Sequence, residues 1–134
     1  MCYYRPIFHR LEEVMMGKHT FVHIELSADD LQSAAEFYRR VFGWQTQDMP
    51  EMNYITFDEG GGLGGGFNPT ENEGNEAGDV VVYIGTDDIE ASLAEIEAAG
   101  GQTVLPKTEI AGMGWFALFS DPTGNKLGLY TGQG

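Results

Sequence analysis

Phe21-Val22-His23-Ile24-Glu25-Leu26, continued by Ser27-Ala28-Asp29-Asp30, is the stretch on which the reading of this chain turns. With a period of two it predicts a strand, with Val22, Ile24 and Leu26 on an apolar face and Phe21, His23 and Glu25 on the other. A strand that is apolar on one side and carries an imidazole and a carboxylate on the other belongs between a core and a site. Asp29 is then expected to cap a helix, with Gln32 completing a capping box. Whatever chemistry the protein performs is expected on the His23/Glu25 face.

Working outward, Leu31, Ala34, Ala35, Tyr38, Val41 and Phe42 fall on one stripe at helical spacing, and Gly43 ends that helix. Short extended pieces follow at residues 44–48, 53–58 and 63–67, then a polar stretch, 68–79, that reads as a solvated connector. The pattern then begins again. Residues 79–85 alternate as a strand, with Val80, Val82 and Ile84 opposite Val81 and Tyr83. Asp87 and Glu90 repeat Asp29 and Gln32, and a second helix carries Ile89, Ser92, Leu93, Ile96 and Ala99 on one stripe. Further strands are expected at 102–105, 115–120 and 126–131. The offset is constant: Asp29 recurs as Asp87, Leu31 as Ile89, Tyr38 as Ile96 and Gly43 as Gly101, so His23 maps to Val81 and Glu25 to Tyr83. A unit of strand, helix and three strands is written twice, and neither copy has enough core to stand alone.

Three groups of residues carry a family resemblance. They are Asp29-Asp30-Leu31 through Val41-Phe42-Gly43-Trp44, then Asp87-Asp88-Ile89 through Ala99-Gly100-Gly101, then Asp121-Pro122-Thr123-Gly124-Asn125 through Leu129-Tyr130. In order and spacing the chain resembles the vicinal oxygen chelate superfamily of glyoxalases, bleomycin resistance proteins and extradiol dioxygenases. The resemblance covers residues 20–131. It implies an α+β fold of two tandem βαβββ modules, about 20–67 and 79–131, forming a cupped mixed sheet with helices outside. It also implies a homodimer. Residues 1–18 lack the module pattern and are expected to be an N-terminal extension to a single domain, 19–134.

In metal-dependent members of that superfamily four ligands line the cup, and the resemblance carries them onto His23, Gly65, Val81 and Gly128. Only His23 offers a donor, and stable sites recruit three or four protein ligands. The expectation is therefore no cofactor, with a divalent metal at His23, or displaced onto His23 and Glu25, as the alternative. Strand parity points Phe67, Tyr83 and Tyr130 into the cup with His23 and Glu25, an aromatic pocket with a few convergent polar groups. Two functions are consistent with these features. One is a metal-free protein that binds a small molecule, aromatic or cationic. The other is a metal-dependent lyase, isomerase or dioxygenase with a degenerate site at His23/Glu25.

Composition narrows the classes. Against 7 Lys+Arg stand 21 Asp+Glu, a net charge of -14, so neither nucleic acid nor an anionic membrane surface suits this chain as a partner. The one cysteine, Cys2, cannot form an internal disulfide, which fits a cytoplasmic protein. No apolar run is long enough to span a bilayer, and charged residues interrupt any signal-like segment before Lys18. The run Gly60–Gly66 contains a formal G-x-G-x-x-G, but Phe67-Asn68-Pro69 follows it and no helix does. It therefore reads as a hairpin and not as a dinucleotide site.

Overall fold

The computed structural model describes residues 19–71 and 75–132. The N-terminal extension expected at 1–18 lies outside the described residues. Eight strands form one mixed sheet: β1 (Phe21–Ala28), β2 (Gln45–Met49), β3 (Tyr54–Asp58), β4 (Gly65–Pro69), β5 (Val80–Gly85), β6 (Gln102–Ile110), β7 (Gly114–Ser120) and β8 (Lys126–Thr131). Two helices, α1 (Leu31–Phe42) and α2 (Ile89–Ala98), pack on one side. The spatial order is β2-β3-β4-β1-β5-β8-β7-β6. It is a mirrored pair of four-strand units, the α+β architecture expected from the twofold pattern.

Register makes the mirror specific. β1 runs parallel to β4 and antiparallel to β5, and β5 runs parallel to β8. His23 pairs with Tyr83, and Glu25 with Val81. Exchanging the modules, His23 for Val81 and Glu25 for Tyr83, returns the same two pairs. Further out, Thr56 pairs with Gly66 in the first unit and Leu118 with Gly128 in the second. Thr56 and Gly66 are thus the counterparts of Leu118 and Gly128.

Each helix seals its own half of the sheet. Ala35, Leu31 and Tyr38 of α1 pack onto Ile24, Leu26, Ile55, Phe57 and Phe67 of the sheet. Their rings form a chain, with Tyr38–Trp44 and Trp44–Phe57 centroids 4.7 Å apart and Phe57–Phe67 5.1 Å. Such offset and tilted contacts add to the apolar burial. Ile89 and Leu93 of α2 pack onto Ala117, Phe119 and Leu129 of the sheet. A third cluster, Val81, Tyr83 and Leu118, sits on the opposite face of the sheet. Val41 and Phe42, placed on the buried stripe by spacing, are exposed.

Both helix caps lie one residue later than expected. Asp30 accepts from the Ser33 amide at 3.1 Å and Asp88 from the Ala91 amide at 3.0 Å. Asp29 instead accepts from the Thr70 hydroxyl at 2.8 Å, tying the start of α1 to the end of β4. Gly43 closes α1 in the left-handed region at φ 73°, where a side chain would be strained. The turn at 121–125 is held by Asp121, which accepts from Thr123 and Asn125. The bond from the Asn125 side chain, more than any other, pulls the Asp121 carboxyl down to about 2. β6 continues past its expected end at Leu105 as an edge strand, with register shifts on either side of that residue. An edge position leaves Pro106 without a ladder bond to break.

The alternation of β1 also needs correction. Its pairing with β5 shifts between Phe21 and His23, so Val22 is an extra residue in a bulge. Phe21 consequently lies with Val80 and Val82 on the helix side, while Val22 joins His23 on the other. Ile24 and Leu26 face the helix as their period predicts. No helix among the described residues is long and apolar enough to cross a membrane.

Candidate functional site

The face of the sheet opposite the helices encloses a cavity of about 590 Å³, lined from both modules. That lies within the range of small-molecule sites. From β1 come Val22, His23 and Glu25. From β3 come Tyr54 and Thr56, and from β4 comes Asn68. Asn53, left-handed at φ 50°, turns the chain out of a short 3-10 helix (Pro50–Met52) and sets the angle at which Tyr54 enters β3. The other wall is Tyr83, Phe116, Leu118 and Tyr130, with Leu105 and Ile110 from the edge strand. Met49, Met52 and Met113 also line the cavity.

Glu25 is the centre of the polar wall. Its side chain is 14% exposed. Oε2 accepts from the Tyr54 hydroxyl at 2.9 Å, and Oε1 accepts from the Asn68 amide at 3.0 Å and the Tyr83 hydroxyl at 3.2 Å. Three donors from three different strands thus hold one carboxylate, which a largely buried charge requires. The Tyr54 oxygen lies 2.7 Å from His23 Nε2. A phenol has one proton, and here it points to Glu25, so His23 Nε2 must carry the hydrogen that bonds back to Tyr54. His23 Nε2 is itself 3.7 Å from Glu25 Oε2, with the Tyr54 hydroxyl bridging them. Ionisation of Tyr54 and Tyr83 is pushed well above the ordinary tyrosine range, first by burial and then by the Glu25 charge. Both stay neutral donors.

His23, Glu25, Tyr83 and Tyr130 are brought together as the spacing predicts. Phe67 is not. It is fully buried beneath α1, because the parallel pairing Leu26–Phe67 puts it on the helix side with Leu26. The same register makes Gly66, and not Gly65, the cup-facing position beside Glu25. A Cβ on Gly65 would run into the Ile24 carbonyl and the Phe57 ring, away from the cup. Tyr54 and Asn68 are the important residues that sequence reasoning left out. Tyr54 alternates with buried Ile55 and Phe57, which was the available signal. Asn68 had been assigned to the connector.

A metal does not fit this cup. Of the positions the fold family would use, Gly66, Val81 and Gly128 offer no side-chain donor. A Cβ on Gly66 would lie within the Tyr54 ring, and one on Gly128 within the Tyr83 ring. The volumes through which ligand side chains would reach are therefore filled by tyrosines. A site displaced onto His23 and Glu25 meets the Tyr54 hydroxyl already bonded to both. Among the described residues no three His, Cys, Asp or Glu side chains are grouped to hold an ion.

Comparison with known proteins follows the same lines. The family model described as Glyoxalase/Bleomycin resistance protein/Dioxygenase superfamily matches residues 20–129. The anthracycline biosynthesis protein DnrV of Streptomyces peucetius is 28% identical, over 79% of this chain and 44% of that protein. The anthracycline biosynthesis protein DauV of Streptomyces sp. (strain C5) is 27% identical, over 79% of this chain and 44% of that protein. The chain therefore spans less than half the length of these curated relatives. A solved structure described as NAD-dependent benzaldehyde dehydrogenase from Legionella pneumophila superposes with a TM-score of 0.65 at 14% identity, covering 82% of this chain and 97% of that one. At that identity the likeness is one of fold.

Proposed function

We propose that this chain, which belongs to the Glyoxalase/Bleomycin resistance protein/Dioxygenase superfamily, binds an apolar small molecule in its cup and does so without a metal centre. The observation that carries the reading is Glu25, the one carboxylate among the described lining residues, bonded to Tyr54, Tyr83 and Asn68 at the edge of an otherwise largely apolar cavity. A carboxylate engaged by three protein donors has one lone-pair position left, and one such ligand does not make a metal site. A largely apolar cavity with one fixed carboxylate in its polar wall is well placed to orient a guest. Two relatives are named for the biosynthesis of a small molecule, an anthracycline, which supports a small-molecule reading.

Two measurements on the purified protein test this. After dialysis against zinc, nickel, manganese or iron(II), much less than one equivalent of metal per chain is expected. A neutral apolar dye such as Nile red should bind at one site, and Phe116→Ala should weaken it by removing a wall of the cup. Stoichiometric metal lost on His23→Ala would overturn the proposal and make a metal-dependent lyase, isomerase or dioxygenase the better reading.

A further inference from the structure

We infer that the guest is an organic cation with an apolar body, held by one N–H on Glu25 with that body against the β7–β8 wall. This rests on the metal-free binding reading and names the class of ligand. Glu25 is the one carboxylate among the described lining residues, and no Lys or Arg lines the cup with it. Its oxygens are unequally used: Oε1 takes Asn68 and Tyr83, while Oε2 takes Tyr54. A carboxylate has about four lone-pair positions, which leaves one on Oε2 for a guest. The three donors are neutral groups, so they fix the carboxylate without cancelling its charge. An incoming anion meets like charge, and a pure acceptor finds no donor on an ionised carboxylate.

The two modules divide the cup. Under the pseudo-twofold, polar Thr56 corresponds to apolar Leu118, and Tyr54 to Phe116, two residues earlier on each strand. One wall is therefore hydrogen-bonding and the facing wall apolar, which orients an amphiphilic guest. Three methionines, Met49, Met52 and Met113, also face the cavity. Their flexible thioethers adapt to different outlines, so selection acts on charge more than on shape.

Three planar probes with one ring system test the inference by fluorescence titration and calorimetry at neutral pH: 9-aminoacridine as the cation, acridine as the neutral body, and acridine-9-carboxylate as the anion. The cation should bind at one site at least about 10-fold tighter than acridine, with the anion weakest. Glu25→Gln should bring the cation to within about threefold of acridine measured on the same variant. Salt at about 0.5 M should preserve most of the preference, because a contact inside the cup is screened less than attraction to the net charge of -14. The wild-type preference and its salt response do not depend on how well the Gln variant folds. Equal binding of cation and acridine, a preference that survives Glu25→Gln, or one that vanishes in salt would overturn the cation inference while acridine binding upholds the receptor reading. If none of the three binds, the receptor reading falls with it.

Discussion

Raising the pH should destabilise this protein through two buried phenols. Tyr54 and Tyr83 both have their ionisation pushed upward, by burial first and by the Glu25 charge second. In the unfolded chain each returns to about 10. A group whose folded pKa is raised stabilises the fold fully below its unfolded pKa, and that contribution drains away as the pH climbs towards the folded value. From about pH 10 to 11 the loss integrates to about 1 kcal/mol for each phenol, and it steepens to about 1.4 kcal/mol per unit beyond that. Two phenols therefore remove about 2 kcal/mol over one pH unit, a large part of a typical domain's stability of about 5–15 kcal/mol. The assay is urea unfolding followed by tryptophan fluorescence from neutral pH to about 11, with tyrosinate absorbance read in parallel. Lysines also titrate in this range, so the difference between proteins is the informative quantity. Wild type should lose about 2 kcal/mol more than the Tyr54→Phe/Tyr83→Phe double variant over that unit, and each single variant should fall midway. Identical slopes for wild type and double variant would refute the reasoning. So would ionisation of all 6 tyrosines with a midpoint near 10 while the protein remains folded.

Gly128→Ala should lower stability by about 1–3 kcal/mol in urea, because its Cβ would enter the ring of buried Tyr83; no change would show that the ring moves aside freely. Asp30→Ala and Asp88→Ala should each reduce stability by about 1 kcal/mol, and unchanged melting would put the true caps elsewhere. Phe67→Ala should remove about 3–5 kcal/mol yet leave dye binding in the cup intact in the fraction that stays folded. Lost binding with unchanged stability would return Phe67 to the cup.

The architecture was legible because it rests on features that recur along the chain: two capped helices and two sets of alternating strands at a constant offset. The site was only partly legible, since period-two alternation says which residues share a face but not which face is the cup. Within Gly65–Pro69 the alternation separates Phe67 from Gly66 and Asn68. Only the parallel register, Glu25 beside Gly66 and Leu26 beside Phe67, assigns the sides. In β1 one bulged residue reverses the parity of everything before it, so Phe21 and Val22 exchange faces while Ile24 and Leu26 keep theirs. Tyr54 was hidden for a different reason. Its role comes from a hydroxyl reaching over the intervening β4 to Glu25 and His23 on β1, a contact with no signature in local spacing.

The duplication that organises the fold also explains why the two modules had to diverge at the cup. Glu25 and Tyr83 occupy equivalent positions, and across the pseudo-twofold axis they bond to each other, phenol to carboxylate, at 3.2 Å. A strictly symmetric pair could not do this. Two glutamates there would bring like charges to hydrogen-bonding distance in a largely buried site, and one would have to take up a proton. Two tyrosines would satisfy each other but leave no fixed charge. The asymmetric pair supplies acceptor and donor together, and the difference spreads to their neighbours. Thr56, Tyr54 and Asn68 gather on the side of the carboxylate, while Leu118, Phe116 and Tyr130 form the wall that faces it. Gly66 and Gly128 stay alike because each must admit a tyrosine ring. A cup built this way has a polar end and an apolar end at fixed places. That polarity would orient a guest of the proposed kind, and it follows from the need to satisfy one buried carboxylate.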